Sequence, residues 1–271
     1  MLHATGIPYK ISRDAGGFEV LVASGDVERS RVELDAYASE NRDRLTIHYA
    51  TATPARGWGG VLAFGTVLVI VAIFQHRHSF GVAWLEAGKT HTGLIRQGEW
   101  WRAVTALTLH ADLAHLLANV VIGGMVGLFA AQSLGSGLGW LLILIGGASG
   151  NLLNAWLHQA EHTSVGASTA VFAALGLQAA LAWRRRQRLS TLRMERWVPL
   201  VGAVVLLSFL GTGGERTDVA AHVLGFVSGA VLGGLVGARV AGGWSRPGGQ
   251  IIFGVATLAI LVGAWAVAVI T

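Results

Sequence analysis

Cysteine is absent from the 271 residues, which excludes disulfides, thiolate metal sites and a cysteine nucleophile and leaves the redox compartment unread. Charge is scarce as well: Asp, Glu, Lys and Arg make up 13% of the chain and hydrophobic types 53%, where a soluble domain carries about 25% charge. Proline occurs 4 times against 38 glycines, a ratio that suits lipid-embedded helices packed closely on small residues. Disorder, collagen and a fibrous coiled coil are excluded by this composition, and a polytopic membrane protein is indicated.

The formal net charge of +5 would suit a nucleic-acid binder only if it formed a patch. Residues 1–56 hold seven Lys/Arg and eight Asp/Glu, and six of the thirteen remaining basic residues are arginines within Arg184–Arg196. A basic run between apolar segments reads as a topology signal, and no nucleic acid is expected as a partner.

Residues 1–56 form a polar N-terminal region without a basic-then-apolar leader, so the N-terminus is expected to stay cytoplasmic. Within it, Phe18–Ala23 reads as a strand and Asp26–Asn41 as an amphipathic helix with Val27, Leu34 and Tyr37 available for one face. Seven apolar spans follow, near Gly57–Phe74, Leu113–Ala131, Gly137–Leu157, Ser168–Trp183, Val198–Leu210, Val219–Val240 and Ile251–Ile270. With the N-terminus inside, the fourth span delivers Arg184–Arg196 to the cytoplasm, as the positive-inside rule requires. That span is short, about 22 Å at ~1.5 Å per residue, so Ser168 is expected below the outer surface. The long connection from Gln75 to Arg102 carries Trp84, Trp100 and Trp101 and is expected to rest partly in the interface.

Polar groups inside spans are costly, so they are functional suspects. They gather at the outer ends of three spans: His110, His115 and Asn119; Ser168; and Asp218 with His222. His115 and Asn119 are four apart and share a helix face. Gly166 permits an unusual turn before Ser168, whose N–H falls at a helix N-terminus. A serine hydroxyl needs an imidazole to take its proton, and the oxyanion that follows needs aimed donors. Ser168, His222 and the His115/Asn119 pair supply these parts.

Three ordered signatures carry a resemblance: Gly98-Glu99-Trp100-Trp101-Arg102 leading to His110 and His115-Leu-Leu-Ala-Asn119, then Gly166-Ala-Ser168, then Ala221-His222-Val-Leu-Gly225. Over roughly Gly98 to Gly237 the chain resembles the rhomboid family of intramembrane serine proteases. The resemblance implies an all-α membrane bundle with a six-helix core at 57–240, to which 241–271 adds a cytoplasmic turn and one further C-terminal transmembrane helix. It implies a Ser168–His222 dyad, with His115, Asn119 and the Ser168 amide as oxyanion donors. It also places Trp101-Arg102 in a membrane-lying first loop and Phe172 against the catalytic histidine.

Thr169 departs from the family pattern, which has glycine after the serine, and sets a β-branched residue beside the nucleophile. His110 reads as an interfacial or loop-stabilising residue, Asp218 as a helix cap, Trp100 and Trp101 as interface anchors, and Gly225 as the start of a packing stripe with Gly229, Gly233 and Gly237. Ser164 reads as a loop serine without a partner. His76, His78 and His91 read as solvated, with no ligand pattern around them, and neither metal nor cofactor is expected.

The function so indicated is an endopeptidase of the inner (plasma) membrane that acts on transmembrane protein substrates within the lipid bilayer, its site opening to the periplasmic or outer side. Two alternatives stand beside it. One is an inactive rhomboid-like escort for membrane proteins, with Thr169 obstructing catalysis; the other is a small-molecule transporter, against which the lack of an internal inverted repeat argues. Oligomeric state is left open.

Overall fold

The computed structural model describes residues 2, 5–14, 17–40, 57–189, 218–236 and 247–271. Two compact units divide the chain, Met1–Thr51 and Ala52–Thr271. In the first, β1 (Tyr9–Asp14) pairs antiparallel with β2 (Gly17–Val22), Tyr9 opposite Val22 and Asp14 opposite Gly17. The sequence reading had seen only the second of these strands. Helix α1 (Val27–Glu40) follows. Its expected apolar face is open, because Val27, Leu34 and Tyr37 are all exposed.

The second unit is a polytopic all-α membrane bundle. Five described helices are long and apolar enough to cross a bilayer: α2 (Trp58–Arg77), α6 (Leu113–Leu134), α7 (Ser136–Asn154), α9 (Val219–Val236) and α10 (Pro247–Ile270). Helix α8 (Ser168–Leu189) belongs to the same bundle. It runs six residues past Trp183 because arginine is a good helix former, so the helix is not short; only its apolar part is. The proposed span Val198–Leu210, residues 237–240 of the next one and Gly237 lie outside the described residues. Leu113, Leu117, Val121, Met125 and Phe129 expose one face of α6 at four-residue spacing, as a lipid-facing stripe requires.

Small residues set the core. Gly225, Gly229 and Gly233 of α9 lie against Thr169, Ala173 and Leu177 of α8, so two rows of four-residue spacing interlock. A Cβ at Gly229 would overlap the carbonyl oxygen of Ala173. Helix α7 closes the group through Gly146, Gly147 and Gly150.

Between α2 and α6 the chain folds into α3 (Trp84–Gly88), β3 (Thr90–His91), α4 (Thr92–Arg96) and α5 (Arg102–Thr105). Buried polar bonds hold this connection. The Arg102 guanidinium donates to the carbonyls of Glu86 at 2.8 Å and Lys89 at 3.1 Å and pairs with Glu99. Asn151 of α7 donates to Ala103 O at 2.9 Å, and β3 pairs with β4 (Thr163–Ser164). Helix α10 packs on α7, α5 and α3; Trp265 donates to Thr108 Oγ1 at 3.0 Å and packs at a tilt against Trp84. A largely apolar cavity of about 300 Å³ lies between α2, α7 and α10, lined in part by Phe64, Leu68, Trp140, Ile143 and Leu258.

Candidate active site

The chain enters α8 through Gly166, whose φ of +135° suits glycine. Its N–H donates to Ala106 O at 3.0 Å, tying the turn to the segment after α5. A Cβ here would come within 2.6 Å of Cε1 and 2.8 Å of Nε2 of His115, and 3.5 Å of Ser168 Oγ. Glycine is therefore what lets the His115 ring lie against this backbone, beside the serine. Ser168 is the first residue of α8; an N–H at that position has no intrahelical acceptor.

His222 stands in the first turn of α9 and is buried, 6% exposed. Its Nε2 lies 2.8 Å from Ser168 Oγ, although the two residues are 54 positions apart. Phe172, one turn after Ser168, packs on the imidazole with ring centroids 4.4 Å apart and planes 34° apart. The α8–α9 glycine seam sets this distance, because it brings the two helix starts to one level. Thr169 does not crowd the serine: its methyl lies in the seam, where a Cβ on Gly150 would meet it at 2.9 Å and one on Gly225 at 3.0 Å. The expectation of bulk beside the nucleophile is thereby corrected.

Helix α6 brings the third component. Asp112 caps it by accepting from the His115 N–H at 2.8 Å. Asn119, buried one turn on, donates one amide hydrogen to His115 O at 3.0 Å. His110 is 4% exposed and meets the site through His115, edge to face at a centroid distance of 5.1 Å. Both its ring nitrogens are buried without a partner among the described residues. Burial, helped by the neighbouring His115, pushes the His110 pKa down to about 4, so the ring is neutral at pH 7.

Ser168, His222, Phe172, Gly166 and His115 are thus brought together, with Asn119 one turn below His115. Trp101 and Arg102 are not in this group. Trp101 packs on the core beside Val104 and Leu107, and Arg102 binds the connection that contains α3 and α5. Gly225 acts in the seam.

Several polar anchors escaped the sequence reading. Ser164 has a partner after all: its N–H donates to Thr90 Oγ1 at 2.7 Å and its carbonyl accepts from the same hydroxyl at 2.9 Å. His91 Nδ1 accepts from Leu94 N at 3.4 Å and caps α4. Arg96 donates to the carbonyls of Ala155 and His158, each at 2.7 Å. Asp218 accepts from Ala221 N at 3.0 Å and from Asn154 Nδ2 at 2.7 Å, and its other contact at 2.7 Å is His162 Nε2. Burial opposes ionisation of this carboxyl, but the bonds from His162, Ala221 and Asn154 outweigh it and hold the pKa below its ordinary value. Of these anchors, only the capping role of Asp218 was local enough to read from sequence.

The fold and site together define a multi-pass membrane protein with a serine and a histidine in hydrogen-bond contact at one end of a helix bundle. A family model described as the rhomboid domain matches residues 97–239, and the chain belongs to the rhomboid family. It is 30% identical over 176 residues to rhomboid protease GluP of Bacillus subtilis, covering 65% of this chain and 33% of that protein. It is 26% identical over 151 residues to the putative rhomboid protease YdcA of Bacillus subtilis, covering 56% and 74%. Rhomboid-like protease 2 of Toxoplasma gondii is 31% identical over 149 residues, covering 52% and 49%. The match to GluP therefore spans about a third of that relative.

Proposed function

We propose that the chain is an intramembrane serine endopeptidase that hydrolyses peptide bonds in or beside transmembrane segments of membrane-protein substrates. The observation that carries this reading is the 2.8 Å contact between His222 Nε2 and Ser168 Oγ. A neutral His222 with its proton on Nδ1 accepts the hydroxyl proton at Nε2 as Ser168 Oγ attacks the scissile carbonyl. The oxyanion is met by the Ser168 N–H, by the His115 ring beside Gly166 and by the second amide hydrogen of Asn119. His222 then gives its proton to the departing amine. Water hydrolyses the acyl-enzyme, with His222 acting again as base. Phe172 keeps the imidazole from rotating away.

Orientation follows from α8. Ser168 stands at one end and the arginines from Arg184 onward at the other. The positive-inside rule puts the arginine end in the cytoplasm, with the N-terminus on the same side, and the serine toward the outer or periplasmic side of a plasma membrane. Water reaches Ser168 from there without crossing lipid. A substrate helix must unwind locally, because its carbonyls are otherwise bonded within the helix.

Cleavage of a single-span reporter in liposomes tests the reading. The native chain is expected to cut it, and Ser168→Ala and His222→Ala are not. Undiminished cutting by either variant sinks the dyad. The escort reading is weakened by Thr169, whose methyl points into the helix seam.

A further inference from the structure

A second cluster of chemically capable side chains lies one turn before His222. His158 and His162, on the connection between α7 and β4, stack their rings with centroids 3.9 Å apart and planes 12° apart. Both present Nε2 to the carboxylate of Asp218: His162 at 2.7 Å from Oδ2 and His158 at 3.7 Å from Oδ1. One donor atom from each of the three residues falls within 4.8 Å of the others.

Hydrogen bonding does not satisfy this cluster. His158 Nε2 is buried without a hydrogen-bond partner among the described residues, although it faces a carboxylate oxygen. Asn154 donates Nδ2 to Asp218 Oδ2, and its own Oδ1 is buried without a partner among the described residues. Two such polar atoms beside one carboxylate are costly unless something bridges them. The His158 and His162 side chains are 33% and 28% exposed, so the cluster is only partly covered.

From this arrangement we infer that His158, His162 and Asp218 form a binding site for a divalent transition cation of the zinc type. Two imidazole nitrogens and a carboxylate oxygen are a donor set zinc accepts at about 2.0–2.2 Å, with a fourth position left for water or the Asn154 oxygen. Binding needs both rings neutral with the proton on Nδ1, which frees each Nε2 lone pair. It also needs His158 to draw in from 3.7 Å, a small side-chain rotation for a partly exposed residue. The bound ion would tie the connection after α7 to the residue that caps α9. That clamp holds the helix turn on which His222 stands, since the His222 N–H donates to Asp218 O at 3.2 Å.

The test is calorimetric titration of the purified full chain, made without a polyhistidine tag, with zinc chloride. The native chain is expected to bind one equivalent, and to unfold at a higher temperature in saturating zinc. His158→Gln with His162→Gln should weaken binding at least about tenfold and remove the thermal shift. Asp218→Asn, which keeps a capping side chain, should weaken it in the same direction. His76→Gln with His78→Gln should bind as the native chain does. Unchanged affinity in the first pair, loss in the second pair, or no saturable binding by the native chain overturns the site. Ser168→Ala is expected to bind zinc normally, so the outcome is independent of whether the chain is a protease.

Discussion

The two flanks of the bundle are built differently. On one, α8 and α9 touch through glycines and carbonyl oxygens, and a single added methyl at Gly229 has no room. On the other, α2 and α10 stand around a largely apolar cavity of about 300 Å³, and a Cβ on Gly254 or Gly263 of α10 would meet nothing within 4 Å among the described residues. The serine and the histidine are on the tight flank. A hydrogen bond between residues on separate helices holds its length only if the helices cannot slide, and backbone-to-backbone packing resists sliding better than flexible side chains do. The difference teaches that the glycines of α9 help set the geometry of the Ser168–His222 pair.

That contrast can be broken by substitution. The largest effect is expected at the pair itself: Ser168→Ala should lower reporter cleavage to background, by about a thousandfold or more, read in liposomes. Next is Gly229→Ala. Overlap with Ala173 O should cost about 1–3 kcal/mol in unfolding free energy and lower cleavage with it, because the helix starts part. Gly254→Ala on α10 is the counterpart: its Cβ meets nothing within 4 Å, and replacing a helical glycine should stabilise by about 0.5–1 kcal/mol. Unfolding curves for the two variants should therefore move in opposite directions, and equal shifts would erase the distinction between the flanks.

Phe172→Ala should leave Ser168 and His222 in place but free the imidazole, and a fall in cleavage of roughly tenfold, about 1.4 kcal/mol, is expected. A smaller effect concerns pH. The His110 pKa is lowered from 6.5 to about 4, so the unfolded chain takes up the proton first. Stability from keeping His110 neutral is therefore present above pH 6.5 and is lost as pH falls toward 4. Thermal unfolding in detergent should show this loss, and His110→Phe should blunt it.

Much of this was legible in the sequence because it is local. Helix starts, caps and the four-residue spacings of His115/Asn119 and Gly225/Gly229/Gly233 repeat within a turn or two, and the motif order named the family. What escaped reading depends on rotation and long-range contact. Thr169 looked like an obstruction because sequence does not say which way α8 is turned; Gly150 and Gly225 turn its methyl into the seam. Ser164 looked solitary because Thr90 is 74 residues away. The His158–His162–Asp218 cluster was passed over for the same reason, since the carboxylate lies 56 residues beyond His162. Helix α8 runs on past the apolar stretch Ser168–Trp183 because arginine does not break a helix.

The central claim is that His222 makes Ser168 a nucleophile. Labelling of the purified chain by a fluorophosphonate, followed by mapping of the modified peptide, tests it most directly. Modification is expected at Ser168 in the native chain, with none in Ser168→Ala and a strongly slowed reaction in His222→Ala. Labelling that persists in Ser168→Ala, or that proceeds at the native rate in His222→Ala, would contradict it.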